Sequence, residues 1–147
     1  MKNRSLFSLG NTFNPFYLLD KYLNPFTHSQ RITLSDNPVN VAWTNRANNQ
    51  MSRNKEITVA EMQLYFSCVV KKRVIFNPSI INFETTTVNN NLKIAFNTVE
   101  AASCDPVEFA MHYPAKRILD SDGALKMKPR ELRIDYKHNQ WTGEFII

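Results

Sequence analysis

The residues of this chain best suited to nucleophilic or acid–base work are Cys68, Cys104, His28, His112 and His138. Their closest grouping is Cys104-Asp105 followed by His112. A thiolate nucleophile needs a base within hydrogen-bond reach and a third group that orients that base. Cys104 is on that ground the candidate nucleophile of a hydrolase-type enzyme, the third of three functions weighed for the chain. Proximity in sequence does not place His112 against Cys104, and a loop cysteine without an activating neighbour is inert. Two cysteines with no paired spacing offer no metal site. Three scattered glycines cannot build a phosphate-binding loop. No cofactor and no metal is expected, and the chain reads as non-enzymatic.

A second chemistry is the binding of single-stranded nucleic acid, which needs a basic groove and aromatic faces. Arg46, Arg53, Lys55, Tyr65, Lys71, Lys72 and Arg73 supply those types. Tyr65 falls on the same alternating face as Lys71 and Arg73. The chain carries a net charge of +5, with 18 Lys and Arg against 13 Asp and Glu. All of that excess lies in residues 1–55; residues 56–147 are neutral. Such asymmetry fits an anionic partner. The competing explanation is a solvated basic edge that keeps an exposed strand from pairing with other chains.

The third and leading reading is partner binding. Residues 6–26 hold Leu6, Phe7, Leu9, Phe13, Phe16, Tyr17, Leu18, Leu19, Tyr22, Leu23 and Phe26. One short helix cannot bury that much apolar surface on one side. Asn14-Pro15 opens a helix, with Asn as N-cap and Pro at the first position, and Pro25 closes it. A helix this short is marginal alone and must dock on something. The segment either completes the domain's own core or is a docking arm; as an arm, Phe16, Leu19, Leu23 and Phe26 are the candidate contacts, to another protein or to a second copy of the chain. The triplets Asn14-Pro15-Phe16 and Asn24-Pro25-Phe26 resemble the ligand motif of EH domains, in which Asn and Pro set a tight turn and Phe enters a pocket. That resemblance covers two triplets only, and helix start and stop explain the same residues.

The element that must position these groups is Glu56 to Phe76, the longest apolar-patterned run. Ala60, Met62, Leu64, Phe66, Cys68 and Val70 alternate with Glu61, Gln63, Ser67 and Lys71, as in a half-buried strand. Leu64, Phe66 and Val70 should be buried; Gln63 and Lys71 should be exposed. Fully extended, residues 60–76 would span roughly 56 Å, more than a compact domain of this length allows. The run must bend, and Lys71-Lys72-Arg73 is the expected place, with a bulge that turns Lys72 away from the core. The alternative is a helix near 59–67, because Thr58 and Glu61 match a capping box.

Alternating strands are expected on both sides of this run. Ile32 and Leu34, then Val39, Val41 and Trp43, flank a turn at Asn37-Pro38. Residues 45–55 read as a loop or frayed helix. Ile80 to Val88 is a strand, Asn89-Asn90-Asn91 a turn, and Leu92, Ile94 and Phe96 the return strand. Val107 to Tyr113, Leu132 to Tyr136 and Trp141 to Ile147 are further strands, with turns at Ser121-Asp122-Gly123 and His138-Asn139. Repeated hairpins make a mainly β chain, an antiparallel sheet of sandwich or barrel type with a short N-terminal helix. The expected division is a helical arm over residues 1–30 and an antiparallel β domain over 31–147. No apolar run approaches the ~18 residues of a membrane span. With no secretory pattern at the start, the expected setting is cytoplasmic.

Overall fold

The computed structural model describes residues 15–66, 70–101, 116–118 and 127–147, with backbone alone for Ala101 and 116–118. Helix α1 spans Pro15–Leu23. Pro15 is its first residue, where a missing N–H costs nothing. Strands β1 (His28–Leu34) and β2 (Asn37–Trp43) form a hairpin. Its turn is Ser35-Asp36, both at positive φ (48° and 64°), the two-residue turn whose twist suits paired strands. The expected turn at Asn37-Pro38 therefore moves back by one dipeptide. Pro38 pairs with Thr33 inside the strand. It is tolerated there because the other neighbour of β2 begins pairing only at Asn40.

The polar segment after β2 is a helix, α2 (Asn45–Arg53), capped by the Thr44 hydroxyl, which accepts from the Ala47 N–H at 3.2 Å. Only Ala47 and Met51, one turn apart, are buried, so a polar sequence is what this helix needs.

The organising run is two strands, β3 (Thr58–Phe66) and β4 (Val70–Phe76). They pair as an antiparallel hairpin from Ala60↔Phe76 to Phe66↔Val70. The length argument thus resolves as a reversal between Phe66 and Val70. The pairing is continuous through Lys71-Lys72-Arg73, so no bulge forms there. The helix near 59–67 does not form; Val59, Tyr65 and Phe66 suit an extended backbone.

Strand β5 covers only Thr86–Asn89, shorter than the expected strand from Ile80, and pairs with β6 (Leu92–Ala101) around the asparagine turn. A short β7 (Lys116–Ile118) pairs with the far end of β6. Strands β8 (Glu131–Lys137) and β9 (Gln140–Ile146) close a last hairpin through His138-Asn139, again both at positive φ. The expected strand at 107–113, the turn at 121–123, Cys68, Cys104 and His112 lie outside the described residues.

Two sheets result, ordered β1-β2-β8-β9 and β4-β3-β6-β5, with β7 beside β6. They face each other as a sandwich, not a closed barrel. Each sheet is two hairpins laid side by side, and their inner strands run parallel: β2 with β8, and β3 with β6. Hairpin counting predicts the antiparallel pairs but not these two junctions. Between the sheets lie Val39, Val41, Leu132, Ile134 and Phe145 from one side and Ala60, Met62, Leu64, Leu92 and Ile94 from the other.

The expected burial holds in part. Leu64 is buried and Lys71 exposed, but Phe66 is half-buried and Val70 is exposed at the start of an edge strand. Gln63 is fully buried, because both faces of β3 are covered. Phe145 is buried, as the apolar C-terminal run suggests.

At one corner β9 comes very close to β4. A Cβ on Gly143 would lie 3.0 Å from Phe76 Cζ and 3.1 Å from Val74 Cβ. Phe76 also stacks on Trp141 at 5.5 Å. Val74 Cβ is fixed to the backbone and cannot swing aside. Gly143→Ala should therefore push the sheets apart and cost about 1–3 kcal/mol. Thermal unfolding should show a Tm lower by several degrees, restored only in small part by Val74→Ala, which removes the Cγ1 contact at 3.2 Å but keeps Cβ. An unchanged Tm in the single variant would show that the corner is looser than this.

Candidate functional site

Helix α1 meets the body through polar contacts. Tyr17, Asp20 and Asn24 form its inward face, and with Phe26, Arg133 and Lys137 they line the groove between the helix and β8–β9. Asp20 is held by both ends of the Arg46 guanidinium, at 3.0 Å each, and by Lys137 Nζ at 3.1 Å. The same guanidinium donates through Nε to Asp135 at 2.7 Å. The Thr44 hydroxyl donates to that carboxylate at 2.6 Å. One arginine of α2 thus clamps a carboxylate of α1 and a carboxylate of β8, a bidentate geometry that lysine cannot supply.

The clamp shows in the titration of its members. Hydrogen bonding from Arg46 holds the Asp20 carboxyl down at about 2, with Lys137 adding to the effect against the opposing cost of burial. Burial alone would raise Asp135, but hydrogen bonds from Arg46, Thr44 and the Tyr136 N–H outweigh it, and the net direction is downward. Arg46 is raised by Asp135 and then Asp20.

The outward face of α1 is apolar and largely exposed. Phe16 is 79% exposed, Tyr22 82%, Leu23 65%, Leu19 54% and Leu18 49%. No residue of the helix is buried. Of the four candidate contacts, Phe16, Leu19 and Leu23 share the exposed side, whereas Phe26 is half-buried in the groove beneath the helix.

The basic and aromatic candidates are dispersed. Arg46 belongs to the clamp. Arg53 and Lys55 are exposed on the last turn of α2 and just after it. Lys71, Lys72 and Arg73 lie on edge strand β4 but point to alternate sides. Lys72 Nζ donates to the Phe145 carbonyl at 3.0 Å and lies 5.7 Å from that ring, bridging the two sheets. Arg73 donates to Gln63 Oε1 at 2.8 Å and stacks over Tyr65 at 5.5 Å. Tyr65 is fully buried and offers no free ring to a base, which corrects the expectation that its face is open. Of the histidines, His28 stacks on Trp43 at a centroid distance of 5.9 Å, and His138 forms a hairpin turn.

The structure adds a locus that sequence reasoning missed. On the outer side of β3, Glu61 is only 4% exposed. Its Oε1 accepts from Gln63 Nε2 at 2.8 Å and from Asn97 Nδ2 at 2.9 Å. Glu61 and Asn97 line a cavity of about 620 Å³ with Ile75, Phe76, Val99 and the segment 77–83. Asn77 brings that segment over the sheet: it sits at φ 50°, and its side-chain oxygen accepts from the Val59 N–H at 2.9 Å. In sequence, Glu61, Gln63 and Asn97 look like the solvated half of alternating strands. Period two alone cannot distinguish a solvated face from a covered polar one.

Among the described residues, no group of three or more His, Cys, Asp or Glu side chains is placed to hold a metal ion. No helix among them is long and apolar enough to cross a membrane.

The clamp makes the seating of α1 depend on pH. Asp20 and Asp135 are both depressed, so their contribution is complete above the ordinary carboxylate range and is lost as pH falls below it, that of Asp20 as pH falls through about 2. Hydrogen-exchange protection of the α1 amides should hold at pH 5, decline below pH ~4 and be lost near pH ~2, before that of β3 and β6. Asp20→Asn should release α1 at neutral pH with the strand amides still protected. Equal loss in helix and strands would mean that the clamp holds the whole fold.

No protein-family model matches the chain, and neither a curated protein nor a solved structure does.

Proposed function

We propose that this protein is a non-catalytic assembly module that associates through α1, and that the helix packs against α1 of a second copy. The observation that carries this reading is the division of labour on α1. Its polar face is fastened by the Asp20–Arg46–Lys137 contacts, and on its apolar face Leu19, Tyr22 and Leu23 are each more than half exposed. Phe16, Leu19 and Leu23 follow the i, i+3, i+7 spacing by which a helix presents anchors. Turned antiparallel, that stripe complements itself: Leu19 meets Leu19, and Phe16 of each copy lies opposite Leu23 of the other. Asp20 is already neutralised within its own chain, so close approach brings no bare carboxylates together. Five large side chains on each copy are available. At about 1.5–3 kcal/mol for full burial of each, even half of that burial compares with the roughly 4–15 kcal/mol that association costs. A cytoplasmic setting belongs to the same reading.

Sedimentation velocity of the full chain, from micromolar to submillimolar concentration, should show a monomer–dimer equilibrium. Leu19→Asp with Leu23→Asp should give a monomer throughout. Its Tm should stay near that of the parent, because both side chains are more than half exposed. A parent chain that is monomeric over the whole range, or a variant that dimerises equally well, would overturn the reading; the first result would leave the stripe to a different protein.

A further inference from the structure

Burying a carboxylate is costly unless a charge or several hydrogen bonds compensate it. Glu61 meets that requirement only in part. Its hydrogen bonds come from two neutral amides, both to Oε1; among the described residues Oε2 has no bonded partner, and Glu61 lines the cavity. Among the described residues no cation pairs with it directly; Arg73 reaches it only through the Gln63 amide. The cavity walls are otherwise largely apolar, with Ile75, Phe76, Ile80, Phe83 and Val99.

We infer that this cavity is a binding site for a small organic cation, a protonated amine carried on an apolar body, with Glu61 as its counter-ion. An ammonium at Oε2 supplies the charge that the two amides do not. The Phe83 ring offers a face to a cation, and Ile75, Ile80 and Val99 offer apolar surface to its alkyl or aryl part. At about 620 Å³ the space is within the range of ligand sites. A bare metal ion fits less well, because one carboxylate flanked by two N–H donors offers too few oxygens. Gln63 and Asn97 act as positioning residues that fix the carboxylate rotamer. Arg73, donating to the far end of Gln63, turns that amide so that its N–H₂ faces Glu61. The site is independent of the α1 face.

The test uses n-butylammonium chloride as probe and n-butanol as its neutral counterpart, each titrated into the full chain and followed by amide and methyl NMR. Butylammonium should give saturable shifts confined to Glu61, Asn97 and residues 77–83, and should bind at least about tenfold more tightly than butanol. Glu61→Gln should lose about that factor for butylammonium and leave butanol unchanged. Phe83→Ala, on a half-buried loop residue, should weaken both probes and serves as the working variant should Glu61→Gln disturb the fold. Equal binding of the two probes, shifts elsewhere on the molecule, or no saturable shift with butylammonium would overturn the inference.

Discussion

The constraint on which the rest of this structure depends is that β3 is covered on both faces. It lies between β4 and β6 in its sheet, and every residue from Thr58 to Tyr65 is buried. A strand in that position exposes no backbone edge, so its ladder is complete on both sides. Its inward side chains, Ala60, Met62 and Leu64, join the core between the sheets. Its outward ones cannot rely on water. Glu61 and Gln63 therefore bond to each other, to Asn97 and to Arg73. Tyr65 lies under Arg73 for the same reason. The chain of amide, carboxylate and guanidinium registers β4 and β6 on β3 through side chains as well as backbone. Such side-chain bonds make the pairing of these three strands more specific.

The parallel junction of β3 with β6 follows from how the second and third hairpins lie side by side in one sheet. The first hairpin belongs to one sheet, the next two to the other, and the last returns to the first. Side-by-side hairpins whose inner strands run parallel need long connections between them. Segment 77–85 is one such connection, from the β4 edge to β5 at the opposite edge. Crossing the sheet makes it one wall of the Glu61 cavity. The cavity is thus a by-product of topology, and its polar floor follows from the double burial of β3.

The N-terminal helix shows a contrasting economy of contacts. Most helices dock by an apolar stripe and show a polar face to water. Here the relation is inverted: Asp20 and Asn24 face the body, and Phe16, Leu19, Tyr22 and Leu23 face out. The inversion is possible because Arg46 stands on α2 beside Asp135 of β8 and offers a fork that two carboxylates share. Arg46 is correspondingly unavailable to a nucleic-acid phosphate. Through Arg46, part of the positive excess of residues 1–55 is the counterweight to Asp135 on β8.

By itself the sequence determined the local elements. Asn-Pro punctuation marked the start and stop of α1, and alternation marked β1, β2, β6, β8 and β9. The Thr58–Phe66 segment read correctly as a strand because Val59, Tyr65 and Phe66 favour extended backbone over a weak capping signal. The apolar surplus over residues 16–23 was also legible, since no nine-residue helix can bury side chains all around itself, but its exposure was not. Three features were decided by the tertiary structure alone. Which face of α1 turns inward depended on Arg46 and Asp135, which are far from it in the chain. Gln63 and Tyr65 became buried because a second layer covers their side, and period two records only that two faces differ. The convergence of Glu61, Gln63 and Asn97 came from the parallel pairing of β3 with β6, which sets Gln63 against Asn97. Local propensity is written in neighbouring residues, whereas strand order and coverage are global balances of burial, and these place a carboxylate inside rather than in water.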